Sequence, residues 1–124
     1  MIIKDIHLRK ITDSRGNPTV EADIITNDGF GRAAAPAGAS TGTFEAQAWP
    51  KNDVNLGIRN AKENLIPALI GITTNDQKTF DNTIKEKDGT KNLQNIGGNI
   101  AVALSLACAK AAANSKNIPL FEHV

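Results

Sequence analysis

The sequence predicts an α+β fold in which a three-stranded antiparallel meander is followed by a helical bundle. Two observations lead to this prediction. The first third of the chain contains short alternating runs separated by turn residues, whereas the rest shows helical spacing and many Ala, Asn and Lys residues. A chain of 124 residues with 40% hydrophobic content suits a single core, so one domain over residues 1–124 is expected.

Three strands are predicted, over residues 2–11, 18–26 and 30–35. In the first two, apolar and polar residues alternate with a period of two, which is typical of strands with one buried face. The Asp28-Gly29 pair lies between two apolar runs and is a strong signal for a hairpin. The predicted sheet therefore has an apolar face toward the core and a polar face toward water or another polypeptide.

Three helices are predicted after the sheet. The first spans residues 52–70, where apolar residues recur every three or four positions. The second begins with a capping box that has Thr74 as the N-cap and Gln77 at the third helical position, and it ends at Lys87. The third spans residues 99–115, is apolar or small nearly all round, and is expected to be the central buried helix.

Composition and charge exclude several classes of function. Fourteen basic and thirteen acidic residues are scattered along the chain and form no basic stripe, so nucleic-acid binding is not expected. No stretch has the length and apolarity of a membrane span, and charges interrupt the N-terminus where a signal peptide would be apolar. Cys108 is interpreted as a core residue of a cytosolic protein, with a reactive thiol as the alternative.

Residues 36–42, Pro-Ala-Gly-Ala-Ser-Thr-Gly, contain two glycines among small residues and are expected to form a mobile loop. Taken alone, these residues favour a flexible connection. Short segments of this composition are common, so a functional role requires a further argument.

Such an argument comes from two segments that resemble the N-terminal signatures of the enolase family. Residues 13–21 read Asp-Ser-Arg-Gly-Asn-Pro-Thr-Val-Glu, and residues 31–46 read Gly-Arg-Ala-Ala-Ala-Pro-Ala-Gly-Ala-Ser-Thr-Gly-Thr-Phe-Glu-Ala. The helix over residues 97–113, with Ile-Pro-Leu-Phe at 118–121, is similar to the last helix of the family's N-terminal domain. The order and spacing of these blocks match the family over nearly the whole chain.

The resemblance implies the capping domain of an enolase, whose (β/α)₈ barrel is absent from this chain. The full enzyme is a phosphopyruvate hydratase, which dehydrates 2-phosphoglycerate to phosphoenolpyruvate in glycolysis and gluconeogenesis with two Mg²⁺ ions. Its acid and base residues lie in the barrel. No catalytic residue is therefore expected here, the isolated chain is expected to be inactive, and its partners are the barrel domain and the small-molecule substrate.

The resemblance also implies that the glycine-containing loop is a lid over the active site. Its residues are Gly38, Ala39, Ser40, Thr41 and Gly42. Ser40 falls on the family position that binds the second Mg²⁺ through its hydroxyl and carbonyl oxygens, which are hard ligands of the kind this ion prefers.

Two departures from the common family pattern concern this region. Ala37 replaces a serine at the start of the lid, which removes one hydroxyl. The loop after Ala46 lacks the usual Arg-Asp-Gly-Asp stretch and resembles that of some archaeal enolases. Both departures affect loop details and leave Ser40 in place.

Two charged residues of the predicted sheet have alternative interpretations. Arg9 and Glu21 are either ordinary solvated strand residues or, as the resemblance implies, parts of a dimer interface that pair with barrel residues of the other subunit. The interface is the favoured interpretation, and it implies a homo-oligomer.

Other polar residues carry weaker hypotheses. Arg15 is interpreted as part of a tight turn, with anion binding as the alternative. Glu45 is interpreted as a cap, with metal binding as the alternative. His7 and His123 are isolated in sequence, so a metal site is not expected at either.

Two hypotheses of function follow. In the first, the chain is the lid domain of an enolase and acts only with the barrel. In the second, it is a stand-alone enolase-like module that binds or regulates without catalysis. The intact lid around Ser40 favours the first, because a pure binding module has no need of a lid that closes on Mg²⁺. A cap from another member of the enolase superfamily is less favoured, since those caps share the fold without this lid sequence.

Overall fold

The computed structural model describes residues 1–12, 14–35, 53–90, 93 and 95–116. Within them, the strands are β1 (Ile3–Thr12), β2 (Pro18–Thr26) and β3 (Phe30–Ala34), which form an antiparallel sheet in the order β1-β2-β3. The helical segments are α1 (Val54–Asn60), a π-helical turn (Ala61–Leu65), α2 (Ile66–Leu69), α3 (Gln77–Asp88) and α4 (Gly98–Lys116). The predicted α+β fold, a meander followed by helices, is confirmed.

The inner face of the sheet holds much of the hydrophobic core. Antiparallel pairing places Leu8 opposite Ala22 and Ile6 opposite Ile24, so alternate residues of neighbouring strands point to the same side. The inner-face residues that are at most 5% exposed are Ile6, Leu8, Val20, Ala22, Ile24 and Ala33. The alternation predicted for the first two strands therefore has the expected buried face.

Helix α4 packs on this inner face so closely that its backbone lies next to the backbone of β3. Ala103, Ala107 and Ala111 are fully buried along the helix. A Cβ atom placed on Gly31 of β3 would lie 2.1 Å from the carbonyl oxygen of Ala107 and 2.5 Å from the amide nitrogen of Ala111. Only glycine fits here, and the helix that was expected to be central and buried packs directly against the sheet.

Cys108 lies on the buried side of α4. Its Sγ is 3.9 Å from the carbonyl oxygen of Thr74. Burial, with a smaller contribution from the negative charge of Asp81, raises the pKa of the thiol to about 12. The group therefore stays protonated and unreactive, in agreement with its interpretation as a core residue.

In the described parts of the chain, no helix is both long and apolar enough to cross a membrane.

The helix predicted over residues 52–70 contains an unpredicted π-helical turn. The helix begins after Asp53, whose carboxylate accepts a hydrogen bond from the N–H of Leu56. In the turn, the N–H of Ile66 donates to the carbonyl of Ala61, five residues earlier. Pro67 has no N–H, and in a regular α-helix its ring would clash with the carbonyl four residues before it. The wider turn relieves this clash.

The predicted N-cap of the second helix is wrong. Helix α3 begins at Gln77 and its N-cap is Asp76, whose carboxylate accepts from the N–H of Thr79 at 3.1 Å and from its hydroxyl at 2.7 Å. Thr74 is fully buried and donates its hydroxyl to the carbonyl of Met1 at 3.2 Å. A tertiary contact therefore engages the residue that sequence spacing assigned to the cap.

Replacing Gly31 by Ala is expected to lower the free energy of unfolding by about 1–3 kcal/mol, because the added Cβ has no room against the backbone of α4. Urea denaturation followed by circular dichroism measures this change. The control is Ala34→Val, which adds methyl groups on the exposed side of the same strand and should change stability by less than about 0.5 kcal/mol. Equal losses in the two variants would contradict the proposed backbone contact.

Candidate functional site

The outer face of the sheet carries a cluster of four charged side chains, which we call the charge cluster. It consists of Arg9, Glu21, Asp23 and Arg32. The strand register brings them together, because Arg9 lies opposite Glu21 and Asp23 lies opposite Arg32. Both pairs project from the face that α4 does not cover.

Asp23 is the centre of the charge cluster. It is only 5% exposed and accepts hydrogen bonds from both neighbouring arginines. Arg9 donates through Nη1 at 2.9 Å and Nη2 at 3.1 Å, while Arg32 donates through Nε at 2.8 Å and Nη2 at 3.3 Å. Arg9 also donates to Glu21. Two positive and two negative groups thus form a network that is neutral overall.

The network fixes the protonation of Asp23 and Arg9. Hydrogen bonds from Arg32 and then from Arg9 hold the pKa of Asp23 well below its ordinary value, although burial acts in the opposite direction. Hydrogen bonds to Asp23 and to Glu21 raise the pKa of Arg9. These two groups keep their charges over the whole physiological range. The cluster is therefore suited to recognition and not to proton transfer.

Apolar and titratable side chains surround the charge cluster. Phe30 is 43% exposed, and the guanidinium carbon of Arg32 lies 5.4 Å from the centroid of its ring. His7 is exposed and its Nε2 lies 2.8 Å from a carboxylate oxygen of Asp5. The outer face thus combines charges with exposed apolar surface, as protein interfaces do.

Sequence reasoning singled out Arg9 and Glu21 and missed their two partners. Asp23 and Arg32 belong to the predicted strands but carry no prediction of a role from the sequence. A signal was present in the sequence. Counting back from the Asp28-Gly29 turn gives the hairpin register, and that register sets Asp23 opposite Arg32.

The predicted lid, including Ser40, lies outside the described residues, but both anchors of that segment are described. On one side, the N–H of Ala35 donates to the carbonyl of Val20 at 3.1 Å, and its carbonyl accepts from the hydroxyl of Thr19. On the other side, Asp53 caps α1. Residues 36–52 therefore connect the end of β3 to the start of a helix, and both junctions are held by hydrogen bonds.

Of the remaining candidate residues, Arg15 lies in an exposed turn, whereas two others lie outside the described residues. Arg15 is exposed in the turn between β1 and β2, next to Gly16 at a φ of 81°, as a tight turn requires. Glu45 and His123 lie outside the described residues. In the described ranges, no group of three or more His, Cys, Asp or Glu side chains is arranged to hold a metal ion. These residues therefore offer no complete ligand set of their own.

Comparison with known proteins identifies relatives of the whole chain. The family model described as "Enolase, N-terminal domain" matches residues 3–124. Enolase from Methanosphaera stadtmanae is 53% identical over 121 residues, which are 98% of this chain and 29% of that protein. Enolase from Methanocorpusculum labreanum is 55% identical over 123 residues, which are 98% of this chain and 30% of that protein.

A further relative gives the same coverage. Enolase from Methanothermobacter thermautotrophicus is 53% identical over 120 residues, which are 97% of this chain and 29% of that protein. The chain thus spans about 30% of the length of the curated relatives that it matches.

Asp23→Asn is expected to lower the free energy of unfolding by about 1–3 kcal/mol near neutral pH, because two guanidinium groups lose a charged acceptor. The folded state holds the pKa of Asp23 below its unfolded value. The carboxylate therefore stabilises the fold above about pH 4, and this stabilisation is lost as the pH falls through the folded-state pKa.

Urea denaturation of both proteins between about pH 7 and pH 2 tests this linkage. The difference in stability between the original chain and the variant should shrink on acidification. The control is Glu86→Gln on the exposed side of α3, where a small difference is expected at every pH. A constant difference for Asp23→Asn over the whole range would show that the carboxylate charge has no part in the effect.

Proposed function

We propose that this chain, which belongs to the enolase N-terminal domain family, is the cap of an enolase. Enolase is the lyase that converts 2-phosphoglycerate to phosphoenolpyruvate in glycolysis. The observation that carries the proposal is the family match from residue 3 to residue 124, with relatives named enolase at about 50% identity over nearly the whole chain. The fold of meander and helices agrees with it. In this proposal a barrel domain supplies the catalytic groups.

Ser40 is proposed to act in the lid by offering its hydroxyl and backbone carbonyl to a Mg²⁺ ion. The donor type fits, because Mg²⁺ prefers hard oxygen ligands, and Gly38 and Gly42 allow the backbone to approach an anionic substrate. When bound, the ion supplies positive charge that stabilises the negative charge developing next to the substrate carboxylate. In this proposal the barrel domain supplies the other ligands. The described residues of this chain contain no group of three or more His, Cys, Asp or Glu side chains arranged to hold a metal.

The protein's own contribution to closure is the positioning of the lid. Ala35 is 1% exposed and hydrogen-bonded to β2, so the first anchor is part of the sheet. Asp53 caps α1, so the second anchor is the start of a helix. Fixed anchors limit how far the segment between them can reach, which in this proposal helps to bring Ser40 to the active site. A cytosolic location stays a prediction of the sequence.

The charge cluster is proposed to contribute to an interface between subunits through Arg9 and Glu21. Within this chain, the two residues bond to each other, and Arg9 also bonds to Asp23. The side chains of Arg9 and Glu21 remain 37% and 24% exposed. Their free hydrogen-bonding positions can therefore meet a partner, while the internal bonds hold the groups in place.

An activity assay tests the lid. Phosphoenolpyruvate formation from 2-phosphoglycerate with Mg²⁺ is measured for this chain alone, for an enolase barrel without its cap, and for the mixture. Turnover is expected in the mixture only. Ser40→Ala should reduce kcat of the mixture by about 10²-fold or more, because one oriented ligand of the metal is lost.

Thr83→Ala is the matched control, because it removes a hydroxyl from α3 that bonds only to the helix carbonyl of Thr79 among the described contacts. Its mixture should keep full activity. Association of the two pieces, measured by size-exclusion chromatography, separates failed docking from failed catalysis. Association without turnover would contradict the enolase proposal and would favour a binding or regulatory module.

A second experiment tests the interface. In the assembled complex of cap and barrel, Arg9→Ala is expected to weaken subunit association by about tenfold or more, because a charged hydrogen-bond donor is removed from the contact. Sedimentation velocity at several concentrations measures this change. The control is Arg59→Ala, which removes an exposed arginine at the end of α1. Unchanged association of the Arg9 variant, or an equal loss in the control, would contradict the interface.

A further inference from the structure

A cavity of about 240 Å³ lies away from the charge cluster, where the π-helical turn, the end of α3 and the residues before α4 meet. Its lining residues are Asn60, Asn64, Lys87, Asn95 and Ile96. Four of these five described side chains are polar. The volume is below the range of about 300–1,000 Å³ that is typical of sites for drug-sized ligands, so the cavity suits only a very small molecule with several hydrogen-bonding groups.

Hydrogen bonds to Asp88, a residue that is 2% exposed, stabilise the wall of the cavity that contains Asn95 and Ile96. One carboxylate oxygen of Asp88 accepts from the N–H of Asn95 at 3.0 Å and of Ile96 at 2.7 Å. The carbonyl of Asp88 accepts from the side-chain amide of Asn95 at 2.7 Å. From the opposite side, Asn60 donates to the carbonyl of Asn95 at 2.6 Å. The wall is thus formed before any ligand arrives, which favours binding.

The π-helical turn forms the other wall. Asn60 immediately precedes the turn and Asn64 lies within it, and both line the cavity. A π-helical turn is an unusual backbone conformation that is frequently retained at functional sites. Here it brings two amide side chains to a cavity whose other side is fixed independently.

The charges at the cavity favour an anionic group. Lys87 is the one cationic side chain among the described lining residues. The nearby carboxylate of Asp88 is engaged by the N–H groups of Asn95 and Ile96 and by the N–H and hydroxyl of Thr90. A helix C-terminus normally repels anions, but at the end of α3 the carbonyl of Lys85 accepts from Gly89 and that of Asp88 accepts from Asn95. These bonds reduce the repulsion.

We propose that this cavity binds a small polyhydroxyl compound that carries an oxyanion, either a phosphate or a carboxylate. The ammonium of Lys87 pairs with the oxyanion. The side-chain amide of Asn64 can donate to and accept from hydroxyl groups. Asn60 and Asn95 each already donate one N–H within the chain, so each offers its second N–H and its amide oxygen. Ile96 contacts the carbon skeleton. The inference stands on the cavity alone and does not depend on the proposed enolase activity.

The test is a titration of the isotope-labelled chain followed by ¹H–¹⁵N correlation spectra. The probes are glycerol 3-phosphate, glycerate, glycerol and inorganic phosphate. Saturable shifts are expected at the amide signals of Asn64, Asn95 and Ile96 with glycerol 3-phosphate or glycerate. Comparison of these two probes shows which oxyanion is preferred, and glycerol is expected to bind at least about tenfold more weakly because it has no charge for Lys87.

Two variants make the assignment specific. Lys87→Gln should weaken binding about fivefold or more by removing the charge, and Asn64→Ala should weaken it by removing a hydrogen-bonding amide. The matched control is Lys78→Gln, which removes an exposed charge from the first turn of the same helix and does not line the cavity. The same spectra show whether each variant is folded.

Several results would overturn the proposal. They are the absence of saturable shifts up to about 10 mM of either charged probe, equal binding of glycerol, and unchanged binding by Lys87→Gln. Equal binding of inorganic phosphate and glycerol 3-phosphate would also overturn it, because it would show only adventitious ion binding at Lys87.

Discussion

The contact between α4 and the inner face of the sheet is the constraint on which the rest of the structure depends. The backbone of α4 lies so close to Gly31 of β3 that there is no room for a Cβ atom on that residue. Such an approach requires alanines on the helix side, and Ala107 and Ala111 provide them. Because α4 packs on β2 and β3 while α1 packs on β1, the inner face is covered, and the charged side chains of the strands project from the outer face. The core contact thus determines where an interaction surface is possible.

The same dependence explains how much of the fold the sequence predicted. Alternation in the strands, the Asp28-Gly29 turn and the small apolar residues of α4 are local signals that agree with the final packing. The two departures arise where local and tertiary preferences differ. Thr74 looks like a cap but is buried beneath the chain terminus. The π-helical turn before Pro67 depends on backbone geometry that the spacing of apolar residues does not encode.

The candidate site was only partly predictable for a related reason. Spacing within one strand shows which face a charge occupies, but it does not show its cross-strand neighbour until the register is known. Arg9 and Glu21 were therefore identified through family resemblance, whereas Asp23 and Arg32 emerged from the pairing itself. The cavity is formed by three separate elements, the π-helical turn, the end of α3 and the residues before α4. No short sequence motif could therefore predict it.

Asp23 gives the charge cluster a property that an ordinary polar face lacks. A carboxylate that is 5% exposed could not remain ionised without partners, and two guanidinium groups satisfy it from opposite neighbouring strands. The hydrogen bonds to Asp23 restrict the rotamers of Arg9 and Arg32. A partner that docks on this face in the proposed assembly would encounter side chains already ordered, so less conformational entropy would be lost on association. The internal network and the proposed interface therefore support each other, since the bonds that stabilise the sheet also prepare its outer surface.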